Sequence, residues 1–346
     1  MPNVTVDGKQ VEVPDGVTIL WAARKAGVNI PTYCYYPWFP PQGNCRICLV
    51  EVEGIGKLQI GCQTPIRDGM VVNTNNERVF KARRGVMEFL LLHHPLDCPI
   101  CDQAGECDLQ DYGYKYGFPV GRTRYPRRTF PKTDYGEKIA KEMNRCIHCR
   151  RCIRLSEDYM GVSHIGMLNR GDHAEVGSYI EAAIPSGWAG NVIDVCPVGA
   201  LTDKKMRFSA RVWDLEHVPA RLKESAMKDP VKCKNGSEAM LGLYRGKIYR
   251  VTARMDEYRV MKSMICDEAR FEHYNLEDWI IEEDVDITTP VKGGPRTAKE
   301  LEEAARKELG MNGDGEAAAP EAETEPETEA VTEDSPDSGD ETAKAE

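Results

Sequence analysis

The sequence predicts an α+β chain built from several small units, and three observations carry that prediction. Short alternating apolar segments at the N-terminus, and again from Leu241 to Ala253, read as strands. A stretch over residues 76–92 has helical spacing. Eleven of the 13 cysteines fall into groups whose spacing belongs to loops and short turns.

Taken in order, Val4-Thr5-Val6 and Val11-Glu12-Val13 flank Asp7-Gly8, a hairpin signal. Thr18 is placed to cap a helix through Ile19 to Ala23, closed by Gly27. A Pro- and aromatic-rich loop from Pro31 to Gly43 leads to a strand at Cys48 to Val52, and Met70 to Asn73 reads as another. In the helix over 76–92, Val79, Val86, Phe89 and Leu90 share the apolar spacing. A loop-rich segment follows, then a basic connector from Arg122 to Lys132, read either as packed on neighbouring protein or as a solvated loop. A cysteine-dense unit runs from Lys138 to Arg211. After Lys292 the composition turns to Glu, Pro, Thr, Ala and Ser, with too little apolar surface to fold. The expected units are 1–78, 79–118, 119–137, 138–215, 216–290 and 291–346.

The formal charge of -11 is concentrated at the end: 13 acidic residues and one Lys lie between Asp314 and Glu346, and the remainder is close to neutral. A near-neutral core and one short basic connector argue against nucleic-acid binding. No apolar run reaches the roughly 18 to 20 residues of a membrane span, and the start lacks a signal-peptide pattern. The expectation is a cytoplasmic protein, where grouped cysteines are metal ligands rather than disulfides.

Three ligand sets stand out. Cys34, Cys45, Cys48 and Cys62, with gaps of ten, two and thirteen, suit a two-iron cluster with two thiolates per iron. Gly43, Asn44 and Gly61 nearby would let backbone N–H groups approach the sulfurs. His94, Cys98, Cys101 and Cys107, with gaps of three, two and five, fit a four-iron cluster with one imidazole. Read alone they fit a Cys3His zinc site as well. His93 is a rival to His94, which is preferred because Pro95 fixes the turn toward Cys98. Cys146, Cys149 and Cys152, closed by Cys196-Pro197, carry the strongest four-iron spacing in the chain. Arg145, Arg150, Arg151 and Arg154 around them would offset cluster charge or form a solvated basic face. His148 reads as a residue beside the ligands, not one of them. Cys233 and Cys266 remain; two thiolates cannot hold a cube, and they read as small buried residues. No dinucleotide fingerprint or phosphate loop is present: Gly54-Ile55-Gly56-Lys57 lacks the following glycine, and Gly246-Lys247 is followed by Ile248.

The three sets in this order, with Cys98-Pro-Ile-Cys-Asp-Gln-Ala-Gly-Glu-Cys107-Asp-Leu-Gln110 in the middle, resemble the G-type large iron–sulfur subunit of NADH–quinone oxidoreductase, respiratory complex I. The resemblance covers residues 1–215. It implies a two-iron ferredoxin-like β-grasp domain, a His/Cys cluster segment and a four-iron ferredoxin-like domain. It assigns one [2Fe-2S] cluster to Cys34, Cys45, Cys48 and Cys62. It assigns [4Fe-4S] clusters to His94, Cys98, Cys101 and Cys107, and to Cys146, Cys149, Cys152 and Cys196. It further implies single-electron transfer from the flavin of an NADH-binding subunit toward quinone, with no catalytic site in this chain. The partners implied are that subunit and others of a peripheral arm on the inner face of the membrane, which the chain would touch only through the complex. Past Leu215 the sequence departs from the family. Lys232-Cys233-Lys234-Asn235-Gly236 and Ile265-Cys266-Asp267-Glu268-Ala269 look like a degenerate remnant of a molybdopterin-oxidoreductase iron–sulfur domain, so no fourth cluster and no molybdopterin are expected.

The alternative is a diaphorase iron–sulfur subunit of a soluble NAD-reducing hydrogenase or formate dehydrogenase, which resembles residues 1–215 equally well. A zinc-stapled interaction protein would need all three sets to be structural.

Overall fold

The computed structural model describes residues 1–122, 124, 126–178, 182–282 and 297–308. The expected hairpin is present as β1 (Asn3–Val6) and β2 (Lys9–Glu12). Asp7 and Gly8 both take positive φ, 47° and 81°, as a tight two-residue turn requires. α1 (Ile19–Lys25) buries Ile19, Leu20, Ala22 and Ala23. Thr18 sits at its N-cap, but the side chain makes no capping bond. The first two N–H groups instead donate to carbonyls of the neighbouring loop, Ile19 to Thr64 at 3.0 Å and Leu20 to Gly61 at 2.8 Å. β3 (Leu49–Val52), β4 (Gln59–Ile60) and β5 (Val71–Asn73) complete a sheet of order β2-β1-β5-β3-β4, parallel only between β1 and β5. Val4, Val6, Leu20, Ile30, Val50 and Val72 fill the core beneath α1, and Cys48 and Cys62 belong to it.

α2 (Glu77–Leu92) is capped by Asn76, which accepts from Val79 N at 2.9 Å. Its buried face differs from the apolar expectation. Val79, Arg83 and Met87 are buried, whereas Phe89 is 79% exposed. Arg83 rotates the face, because its guanidinium reaches Leu49 O at 3.1 Å and Tyr116 Oη at 3.2 Å. A buried, hydrogen-bonded arginine is invisible to a hydrophobic pattern. α3 (Asp108–Tyr116) packs on α2. The connector is tied to this chain: Arg122 forks onto Glu88, and Arg128 donates to Asp172 O at 2.7 Å.

β6 (Ile139–Lys141), α4 (Arg151–Arg154), β7 (Gly166–Leu168), β8 (Glu175–Gly177), α5 (Asn191–Val195) and β9 (Leu201–Asp203) form the next unit, with β6–β9 and β7–β8 as antiparallel pairs. Beyond it, β10 (Glu216–Leu222), α6 (Pro230–Cys233), β11 (Glu238–Tyr244), β12 (Lys247–Thr252), α7 (Asp267–Phe271) and β13 (Trp279–Ile281) build an antiparallel sheet of order β12-β11-β10-β13. The two units share one core, from Ile153, Trp188 and Val192 to Ala220, Leu241 and Met264. Pieces this small gain by burying their faces together. The buried ion pair of Asp194 and Arg270 lies in the same region.

α8 (Ala298–Glu308) corrects the expectation that everything after Lys292 is unable to fold. Leu301 is buried, and its carbonyl accepts from Asn235 Nδ2 at 2.7 Å. Thr297 and Glu300 cap each other reciprocally, Glu300 N to Thr297 Oγ1 at 3.2 Å and Thr297 N to Glu300 Oε2 at 2.8 Å. The acidic tail itself lies outside the described residues. Among them, no helix is long and apolar enough to cross a membrane.

Candidate iron–sulfur sites

The first set lies at the end of the two-iron unit. Gly43 and Arg46 take positive φ, 63° and 62°, so the chain curls between Gly43 and Cys48 and brings Cys45 and Cys48 to one side. Gly61 has no room for a side chain, since a Cβ would lie 2.9 Å from Cys48 O. Gly61 N donates to that carbonyl at 3.0 Å, which sets Cys62 beside Cys48. Cys34 N points at Cys45 Sγ, 3.5 Å away. Cys34, Cys48 and Cys62 are buried and Cys45 is half-buried.

In the second set, Cys98 opens a single turn (Cys98–Ile100) and Cys107 occupies the N-cap of α3. Cys101 and Cys107 are buried while Cys98 is exposed. The two histidines differ in a way that favours His94. His93 Nδ1 already accepts from Arg128 N at 3.3 Å, but His94 Nδ1 is buried with no hydrogen-bond partner among the described residues. A buried ring nitrogen without a partner suits a metal ligand. Burial and the Arg145 guanidinium push His94 down to about 4, which keeps the ring neutral near pH 7. Gly199 lies against this set from the other side: a Cβ there would sit 2.1 Å from Cys101 Sγ.

The third set curls similarly, with positive φ at His148 (54°) and Arg150 (62°) before α4 begins. Cys152 lies in α4, and Cys196 ends α5. His148 N points to Cys146 Sγ at 3.4 Å, and its Nε2 lies 2.9 Å from Ala174 O, so it stands beside the ligands as expected. Cys146, Cys149, Cys152 and Cys196 line one cavity with Met143, Val198 and Leu201. Cys146 and Cys196 are half-buried as residues and line this apolar space. Burial pushes Cys146, Cys149 and Cys196 up to about 12, so the bare thiols hold their protons until a metal displaces them.

Among the described residues no three His, Cys, Asp or Glu side chains are gathered for a single metal ion. Cluster ligands are spread over two or four irons, and the third set stands around a cavity accordingly.

The sets meet in one apolar core. Cys34, Cys107 and Cys149 are members of the same buried cluster as Tyr33, Met87 and Val198, with Cys45, Cys146 and Cys196 packed on it. Tyr33 lies between the first two sets, its ring 5.3 Å from Tyr112 and its hydroxyl donating to Met87 Sδ at 3.4 Å. Three of the four arginines are buried rather than solvated. Arg151 donates to Tyr35 O at 2.8 Å, Arg154 to Pro40 O, and Arg145 to Asp97 at 2.9 and 3.0 Å and to Gly199 O at 3.4 Å. Arg150 alone of the four is exposed. Sequence reasoning missed Gly199, Tyr33 and the reach of Arg145 to the second set. The Gly199 signal was its place three residues after Cys196.

Comparison with known proteins bears on these sites. Residues 2–77 match the 2Fe-2S iron-sulfur cluster binding domain family. Residues 83–122 match the NADH-ubiquinone oxidoreductase-G iron-sulfur binding region, and residues 136–202 match the NADH-quinone oxidoreductase subunit 3 ferredoxin-like domain. The chain is therefore an iron–sulfur protein with one [2Fe-2S] domain and four-iron binding regions after it, and the second set falls within one of those regions. The G-type subunit of NADH-quinone oxidoreductase from Rickettsia bellii is 42% identical over 277 residues, 80% of this chain and 39% of the relative. The 75 kDa subunit of NADH-ubiquinone oxidoreductase from Reclinomonas americana is 44% identical over 271 residues, 78% of this chain and 38% of the relative. Across the matched residues the chain is a relative of this G-type iron–sulfur subunit of NADH–quinone oxidoreductase. It spans 39% of the length of the first of these relatives. A chain of an NAD+-reducing [NiFe]-hydrogenase, in the crystal structure of its H2-reduced state, superimposes with a TM-score of 0.56 at 27% identity. That match covers 61% of this chain and 91% of the other.

Proposed function

We propose that this chain is a one-electron relay of an NADH–quinone oxidoreductase. Cys34, Cys45, Cys48 and Cys62 hold its [2Fe-2S] cluster. His94, Cys98, Cys101 and Cys107 hold one [4Fe-4S] cluster, and Cys146, Cys149, Cys152 and Cys196 hold the other. When bound, the clusters supply reversible one-electron redox chemistry. The chain's own residues fix their order, exclude water and place charge near them. The observation that carries the reading is the single buried core to which all three sets contribute. Electrons would enter from an NADH- and flavin-binding partner and leave toward quinone through other peripheral subunits, on the inner face of the membrane. The proposed layout is a β-grasp unit over 1–78, a His/Cys segment over 79–118, a connector over 119–137, a ferredoxin-like unit over 138–215 and a degenerate unit over 216–290.

The hydrogenase match supports a second reading, a diaphorase subunit, because it spans nearly all of that chain. Identities of 42–44% to the oxidoreductase subunits, against 27%, favour the first. Affinity purification of the intact complex through a tag on this chain separates the two. NADH-driven quinone reduction by the purified complex is the expected activity. Hydrogen-driven NAD+ reduction without quinone reduction would replace the first reading by the second.

A further inference from the structure

Outside the three sets, Cys233 and Cys266 lie with their sulfurs 2.6 Å apart, 0% and 1% exposed. Cys233 ends α6 and Cys266 caps α7, where its sulfur accepts from Ala269 N at 3.4 Å. The backbone holds them together: Cys266 N donates to Gly236 O at 3.0 Å, and Gly236 N to Cys233 O at 3.1 Å. Gly236 has no room for a side chain, because a Cβ would lie 2.6 Å from Cys266 N and from the Trp188 ring. The close approach is built into the main chain.

A carboxylate stands on the helix that Cys266 caps: Glu268, in the first turn of α7. Glu268 accepts from Lys228 N at 2.5 Å and Asp229 N at 2.9 Å, and lies 3.3 Å from His273 Nε2. His273 Nδ1 is 3.1 Å from Asp278, whose side chain is 32% exposed. Carboxylate, imidazole and carboxylate thus run from the first turn of α7 to solvent. The bond to Cys266 and burial hold Cys233 well above the usual thiol range, so the resting state is a thiol and a base is needed to activate it.

We propose that Cys233 and Cys266 are a thiol switch that closes to an intramolecular disulfide when a small hydroperoxide oxidises it. Glu268 takes the Cys233 proton. The thiolate attacks the peroxide, forming an S–O bond and breaking the O–O bond, and water or an alcohol leaves. Cys266 sulfur attacks the resulting sulfenic acid; the S–S bond forms, the S–O bond breaks, and a second water carries off the Cys266 proton. The two thiols lose two electrons and the peroxide gains them. A dithiol reductant reverses the reaction.

The bond would tie Cys266, at the end of an arm over residues 254–266 that reaches the cluster region, to α6. Arg259 on that arm donates to Glu106 O at 2.8 Å, Asp108 at 2.6 Å and Asp111 at 2.9 Å, all beside the second set. Met261 N donates to Tyr36 Oη at 2.7 Å, two residues from Cys34. Oxidation would fix this arm in place without touching a cluster ligand.

The test uses the full chain purified without air. Samples taken before and after brief hydrogen peroxide treatment are denatured in acid, alkylated and mapped by peptide mass without reduction. The expected result is a Cys233–Cys266 cross-linked peptide pair that appears on oxidation and disappears with dithiothreitol. Glu268→Gln keeps both thiols and should form it at least about tenfold more slowly. In Cys266→Ser, dimedone should label Cys233. Both cysteines alkylated as thiols after treatment, cross-linking of either to a cluster ligand, an unchanged rate in Glu268→Gln, or zinc bound at the pair before treatment would each overturn the proposal.

Discussion

Gly199 faces the sulfur of Cys101 so closely that a Cβ on it would lie only 2.1 Å from Sγ. Gly199 follows Cys196 in the third set, and Cys101 belongs to the second. The same loop meets the segment of the second set again where Asp108 N donates to Pro197 O at 3.2 Å, and Arg145 bridges the two, donating to Gly199 O at 3.4 Å and to Asp97 at 2.9 and 3.0 Å. The two candidate four-iron sites therefore share a wall.

Gly199→Ala should displace Cys101 while leaving the first set untouched. The expected outcome is loss of roughly four irons per chain with the two-iron EPR signal retained. Iron analysis and EPR of the purified variant check it, and unchanged iron would show that the wall can shift.

The two histidines should separate cleanly. His94→Ala should lose the second cluster, because the proposed ligand is the side chain whose buried Nδ1 has no hydrogen-bond partner among the described residues. His93→Ala should keep it, losing only the bond from Arg128 N. His94→Cys should keep a four-iron cluster at lower potential, since thiolate adds negative charge where imidazole has none. Redox titration followed by EPR reads all three.

His94 also predicts a pH profile. Its position near 4, below the ordinary 6.5 or so, means that protons compete for the ring only at low pH. Iron in the second set should be stable as pH falls from 8 through the ordinary histidine range and be lost below about pH 5. Loss beginning near pH 6.5 would contradict the burial argument. Iron retained by dialysed protein at each pH is the measurement.

Much of this was legible because metal ligation constrains residue type and spacing more tightly than packing does. Cys146, Cys149, Cys152 and Cys196-Pro197 announce themselves, and Asp7-Gly8 announces its hairpin. What stayed hidden was tertiary. Arg83 turns the buried face of α2, and nothing in a periodic pattern distinguishes a buried arginine from a solvated one. Phe89 was expected inside and is exposed for that reason. Bonds from Trp188 and Asn235 hold α8 in place around Leu301, although the composition after Lys292 predicted no fold. The histidine choice from Pro95 came from the sequence; the unpartnered nitrogen that supports it required the fold.

The fourth prediction concerns stability. The side chains of Asp194 and Arg270 are 0% and 1% exposed and paired, and Arg270 also donates to Val251 O at 3.2 Å. Arg270→Met would leave a buried carboxylate without its partner and should destabilise the chain by about 3–5 kcal/mol. Replacing both partners with apolar residues should recover much of that loss. Denaturant unfolding of the single and double variants tests it.

The central claim is a chain holding one two-iron and two four-iron clusters. It is tested most directly by anaerobic purification, iron and zinc analysis, and EPR of the reduced protein over a range of temperatures. The account predicts about ten irons per chain, with one slowly relaxing two-iron signal and faster-relaxing four-iron signals. Stoichiometric zinc with little iron, in protein never exposed to air, would contradict it.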